Sequence, residues 1–440
     1  MADRDRQAVT VAAPPPRRPA PAPPVAGMAA DGAPPFVLPG EHFAAALAWL
    51  ALGAAGLVAV APLLAAGAFT APRVVAVAHC FTLGWLTTSI FGALYQLFPV
   101  VLGVSARSVR VGHVTFGLLQ AGTASLVAGF WWFSPVLLAV GWTLLFAAVG
   151  GLAWNILPQR RRAPRGRLIG LYISGAHLGL GLAMLVAAAR VGSLLGWWTV
   201  NPNRLLAAHV HLAALGFATL TAIGVGSRLL PMFLLSHGQA DWPLRWIGPL
   251  VGAGLVAFGA GELGAGAGLA LGGAAAMAAG VALYLYQAWL YYRHRVRRKL
   301  DPGLALTAVS HGFLLVSLAA GAALALAPAP PPHLAAAYGV LGILGWLTLF
   351  VAGIYQKILP FLTWLHRFGP RVGQPGLPTV ADLVVPRWGW ASLVLLASGT
   401  VVLAAAVGAG RESAARAGAA LFAAGAAFLV AQGVRLRTVR

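Results

Sequence analysis

Carboxylates are scarce in this chain of 440 residues. Nine Asp and Glu stand against 30 Lys and Arg, a formal net charge of +21. The nine are Asp3, Asp5, Asp31, Glu41, Asp241, Glu262, Asp301, Asp382 and Glu412, and each falls in the amino-terminal tail, in a loop or near a helix end. A membrane protein that moves protons through an acidic relay carries protonatable groups at mid-depth. No carboxylate is placed there, which argues against an acidic relay and against proton pumping. Water and the hydroxyls of Thr87, Thr88, Thr219 and Thr221 remain as proton carriers. Cysteine is scarcer still. Cys80 stands alone, which excludes an internal disulfide, a thiolate-rich metal cage and a Cys-x-x-Cys-His attachment site.

Apolar residues fill the space. The chain is 60% hydrophobic and 9% charged, and apolar runs recur from about Phe43 to Val434. A spanning helix needs roughly 20 such residues. The runs predict twelve spans, near 42–68, 73–103, 109–131, 134–157, 167–190, 204–234, 243–264, 266–292, 303–327, 334–364, 387–409 and 414–434. The fold class is therefore an all-α polytopic membrane protein. Residues 1–38 are rich in Pro and Ala, carry Arg4, Arg6, Arg17 and Arg18, and lack the apolar core of a signal peptide. They read as a disordered cytoplasmic tail.

The placement of positive charge argues against nucleic acid as a partner and for a bilayer. Of the 30 Lys and Arg, all but Arg73, Arg190, Arg204, Arg411 and Arg416 fall on the side that holds both termini. The positive-inside rule then puts the amino and carboxyl termini in the cytoplasm of a multi-pass inner (cytoplasmic) membrane protein. The clusters RRRAPRGR (160–167) and RHRVRRK (293–299) are topology determinants, with anionic lipid as a further contact.

Three segments align without gaps: HCFTLGWLTTSIFGALYQLFP (79–99), HLAALGFATLTAIGVGSRLLP (211–231) and VLGILGWLTLFVAGIYQKILP (340–360). They share Leu-Gly-aromatic, at Leu83-Gly84-Trp85, Leu215-Gly216-Phe217 and Leu344-Gly345-Trp346. A glycine follows nine residues after the leucine, at Gly92, Gly224 and Gly353, and each segment ends in proline. The preceding spans carry His42, His177 and His311 at matching intervals. The pattern predicts three tandem four-helix repeats, 39–165, 166–300 and 301–440, with a pseudo-threefold axis along the membrane normal. The second, sixth and tenth spans would then line the centre, where glycine lets helices approach.

Histidine inside a spanning helix is rare and faces a partner. Of 11 histidines, His42, His79, His177, His209, His211 and His311 fall within spans. His79 and His211 hold the same repeat position, on the order of 10 Å below the outer end at 1.5 Å per residue. Neutral imidazole ligates haem iron or another metal, so this pair is the first candidate to hold a haem between two central helices. His209 is two residues from His211, about 200° around the helix, and faces a second compartment. His177 and His311, near mid-depth, are further metal candidates. Arg204, a turn and a half before His209, and Arg73 are candidate cations for haem propionates. Trp85 is a candidate to touch a macrocycle. The alternative for all six histidines is packing, or the binding of a substrate ion in a transporter or channel.

AHVHLAALGFATLTAIGVGSRLLP (208–231 with its flanking alanine) resembles the H-x-H helix of subunit I in the haem-copper oxidase superfamily, which includes C-type oxidases and nitric oxide reductase. AHCFTLGWLTTSIFGALYQLFPVVLG (78–103) resembles its second helix. That resemblance implies twelve helices in three arcs of four. It implies low-spin ligation of a b-type haem by His79 and His211, with His209 facing a high-spin haem. It also implies electron transfer to, or binding of, a small gas ligand such as nitric oxide or oxygen. Electrons would come from a donor subunit or a quinol, and any reaction would be oxidoreduction of the gas. The chain departs from the family in placing H-x-H on the sixth span rather than the tenth, and its seventh span has no histidine pair for copper. The resemblance therefore implies a divergent member. If copper is bound, His177, His209 and His311 are its candidate ligands.

Overall fold

A computed structural model describes residues 35–162 and 166–438. All but the last four residues of the expected tail lie outside the described residues. Twelve helices are long and apolar enough to cross a membrane: α1 (Val37–Ala65), α2 (Pro72–Pro99), α3 (Val109–Trp131), α4 (Pro135–Arg161), α5 (Arg167–Leu194), α6 (Pro202–Leu234), α7 (Trp242–Ala265), α8 (Ala267–Arg293), α9 (Pro302–Leu326), α10 (Pro332–Arg367), α11 (Pro386–Gly408) and α12 (Glu412–Thr438). No β-strand occurs among the described residues, only an isolated bridge between Ser236 and Arg295. Multi-pass membrane architecture follows from backbone chemistry. In hydrocarbon every N–H and C=O needs an internal partner, and a helix supplies it within one segment.

The helix starts explain the boundaries. Proline opens α2, α4, α6, α9, α10 and α11, a position whose N–H has no intrahelical acceptor to lose. Ser108, Ser134 and Asp301 cap α3, α4 and α9 by accepting from Val111, Leu137 and Leu304 N–H. The first span begins at Val37, five residues earlier than the sequence pattern predicts. Pro39 falls within the first turn, where proline is compatible with the helix.

Three helix pairs cross at glycines. A Cβ on Gly122 (α3) would meet the carbonyl of Gly141 (α4) at 3.1 Å. One on Gly254 (α7) would meet that of Gly273 (α8) at 2.8 Å, and one on Gly399 (α11) that of Gly418 (α12) at 2.8 Å. Each pair is 19 residues apart in sequence. Backbone is thus packed on backbone, the close approach that small residues allow between membrane helices.

The helices α2, α6 and α10 are unlike the rest. Each widens into a π-helical stretch of 8 residues, at Cys80–Thr87, Leu212–Thr219 and Leu341–Thr348. Each stretch contains one Leu-Gly-aromatic copy, and π-turns inside helices are commonly found at functional sites. The motif glycines face the preceding helix rather than one another: Gly92 lies against His42 of α1, Gly224 against Tyr172 of α5, Gly353 against Gly303 and Thr307 of α9. Polar side chains join the motif helices instead. Ser89 on α2 and Tyr355 on α10 share a hydrogen bond of 2.7 Å, and Trp346 Nε1 on α10 donates to Thr219 Oγ1 on α6 at 3.0 Å.

Candidate haem site

The six span histidines share one arrangement. In each, Nδ1 sits 2.6–2.8 Å from a backbone carbonyl. For five of them the acceptor is four residues earlier in the same helix: Leu38, Val75, Ile173, Ala207 and Thr307 for His42, His79, His177, His211 and His311. A carbonyl can only accept, so Nδ1 carries the proton and Nε2 presents its lone pair. That is the tautomer a metal-binding imidazole adopts, its second nitrogen held by a carbonyl. His209 differs: its Nδ1 reaches across to Ala183 on α5. The ring is thereby turned between α5 and α6.

Nε2 divides the set. In His211 it accepts from Tyr338 Oη on α10 at 3.2 Å, and in His311 it pairs with Tyr284 Oη on α8 at 3.0 Å. In His42 and His177 it is buried without a partner. In His79 and His209 it has no hydrogen-bond partner among the described residues, and both rings keep accessible surface within the span. The ring of His79 stacks on Phe130 of α3 at 5.3 Å with 15° between planes, and that of His211 lies 4.9 Å from Phe258 of α7.

The Nε2 of His211, the partner expected for His79 from the repeat, is thus held by Tyr338, while those of His79 and His209 are left without a hydrogen-bond partner among the described residues. Trp85, expected near a macrocycle, is fully buried with its ring 4.6 Å from Tyr355. Among the described residues no three of His, Cys, Asp and Glu gather as a metal set, so His177, His209 and His311 do not form a copper triad in this arrangement. His311 is instead enclosed by Tyr284, Tyr292, Trp346 and Phe350. The threonines are committed locally: Thr87, Thr88 and Thr221 donate to carbonyls of their own helices, and Thr219 accepts from Trp346.

The sequence did not single out Arg190. Arg204 is exposed, and Arg73 lies over Trp131 at 5.6 Å. Arg190, half-buried on α5, donates to Pro202 O at the start of α6 at 3.2 Å. Arg190 belonged to the small outer set of arginines, which was the available signal. Tyr338, Tyr284 and Phe130 carried none, because each meets its histidine only through packing between helices.

The donor set fits a haem. Imidazoles whose Nδ1 is fixed on a carbonyl and whose Nε2 lone pair is free have the donor chemistry that haem iron takes as axial ligands. No protein-family model matches the chain, and comparison with curated proteins returns no significant match.

Proposed function

We propose that this chain is a haem-binding integral membrane protein, similar in plan to subunit I of the haem-copper oxidases. It would pass electrons to, or bind, a diatomic gas such as nitric oxide or oxygen, without pumping protons. The observation that carries the reading is the pair of unpartnered Nε2 atoms on His79 and His209, each presented by an Nδ1 fixed on a carbonyl. His211 is the third candidate, available when Tyr338 releases it. A bound haem supplies one-electron chemistry and, where one axial position is open, affinity for small gases. This chain's residues hold the ring nitrogens in one tautomer and set Arg190 beside the site. Phe130 and Phe258 flank it with apolar surface.

Three four-helix repeats about a pseudo-threefold axis, with both termini cytoplasmic, belong to the same proposal. Support comes from the three π-helical stretches on the three motif copies and from the 19-residue glycine crossing that recurs in each unit. The deciding measurement is a visible spectrum of the purified protein, oxidised and then reduced. Sharp α and β bands are expected, lost in both His79→Ala and His209→Ala. Retention of the bands in His209→Ala with loss in His211→Ala would reassign the pair to His79 and His211. A colourless protein after expression with ample iron and haem precursor overturns the function.

A further inference from the structure

Away from the histidines, the first turns of α1 meet the last turns of α10 and α12 around a cleft of about 350 Å³. Its walls are apolar: Phe43 and Leu47 from α1, Leu359 from α10 and Leu436 from α12. Gly433 shapes the floor, because it lets α12 close onto Leu47 where a Cβ would collide. The rim is basic. Arg367 and Arg437 stand at the helix ends, and Arg367 is steadied by donating to the Arg437 carbonyl at 2.6 Å. The one carboxylate lining the cleft, Glu41, is already bonded to His113 Nδ1 at 2.8 Å. The α1 start adds the positive end of a 29-residue helix with no acidic residue in its first turn.

We propose that this cleft binds one anionic phospholipid, an acyl chain lying along the Phe43, Leu47, Leu359 and Leu436 wall and the phosphodiester held by Arg367 and Arg437. Three observations favour it over other occupants. The cleft lies at the ends of three spans, at the level where headgroups sit. Its rim carries two guanidiniums and no free carboxylate, which suits a phosphate rather than a neutral ring such as a quinone. The amino-terminal segment holds four arginines against three aspartates, a net positive charge that does not complement a basic rim.

The test uses the full chain in a neutral detergent, with bound lipid counted by native mass spectrometry after exchange into equimolar phosphatidylglycerol and phosphatidylcholine. One retained phosphatidylglycerol is expected, preferred roughly tenfold or more. The double variant Arg367→Gln/Arg437→Gln loses that preference, whereas Arg293→Gln/Arg298→Gln, in the other basic cluster, keeps it. Ala44→Phe, which fills the cleft and leaves both arginines in place, loses the adduct. Equal retention of the two lipids overturns the proposal, as does an adduct that survives Ala44→Phe. Displacement by millimolar inorganic phosphate would reduce the site to a phosphate site without an acyl component and overturns it as well. Increased lipid retention on deleting residues 1–33 would make that segment the native occupant, with the same consequence. None of these readouts depends on haem.

Discussion

At the level of single residues, the span histidines differ in what their Nε2 meets, and that difference sets their consequences on mutation. His311 is enclosed on four sides by aromatic rings and bonded at both nitrogens. Those contacts are the ones a packing side chain makes. Tyr284→Phe leaves its Nε2 without a donor in a buried setting, and hydrogen bonds between membrane helices are worth about 0.6–2 kcal/mol. Tyr284→Phe should therefore lower the thermal midpoint in detergent while leaving any haem spectrum in place. Tyr338→Phe should act in the opposite sense on the site. It frees the Nε2 of His211, so a change in the low-spin bands on this substitution would show that His211 competes with His209 for the iron. The two outer arginines separate in the same way. Arg190→Gln removes the half-buried guanidinium bonded to the start of α6 and should reduce haem retention on washing. Arg204→Gln, at an exposed position, should not. Equal loss in both would mean the arginines act through general charge rather than through place.

At the level of helices, glycine decides how near two backbones come. At the α3–α4 crossing a Cβ on Gly141 would lie 2.6 Å from the backbone nitrogen of Leu126, and backbone cannot swing aside as a side chain does. Gly141→Val should destabilise by roughly 1–3 kcal/mol through overpacking. Gly117 on the same α3 has no heavy atom within 4 Å of its Cβ position. Gly117→Ala should be neutral or stabilising by up to about 1 kcal/mol, the helix-propensity difference. A denaturant series on both variants checks the contrast. The sequence made the twelve spans readable because a hydrocarbon core imposes a length and a composition. It made the Leu-Gly-aromatic copies readable because they align without gaps. The use of those glycines was not readable. They face α1, α5 and α9 rather than the centre, since a helix period gives a face but not its neighbour. The histidines were legible as candidates because imidazole is costly in lipid. The distinct setting of His209 was not, because it depends on its ring being drawn across to Ala183 on α5. The π-helical stretches also escaped, having no composition that marks them beyond the motif they contain.

At the level of the whole molecule, charge asymmetry and helix count combine into one topology. An even number of spans returns the chain to its starting side, and the sequence pattern assigns 25 of the 30 Lys and Arg, all but Arg73, Arg190, Arg204, Arg411 and Arg416, to that side. Translocating those charges is opposed by the rule that governs short loops, so the loop between α8 and α9 should face the cytoplasm and the loop between α9 and α10 the exterior. Cys80 offers a clean background, being the sole cysteine and buried. The native protein should thus resist a membrane-impermeant maleimide until it is denatured. Ala329→Cys, exposed between α9 and α10, should label in intact spheroplasts. Arg298→Cys, exposed between α8 and α9, should label only after the membrane is opened. Under that topology the proposed lipid cleft would lie in the inner leaflet, and His79 and His209 near the outer surface at the far ends of α2 and α6. A reversed labelling pattern would move both sites to opposite sides together, because α1, α10 and α12 meet at the end of the molecule away from those histidines.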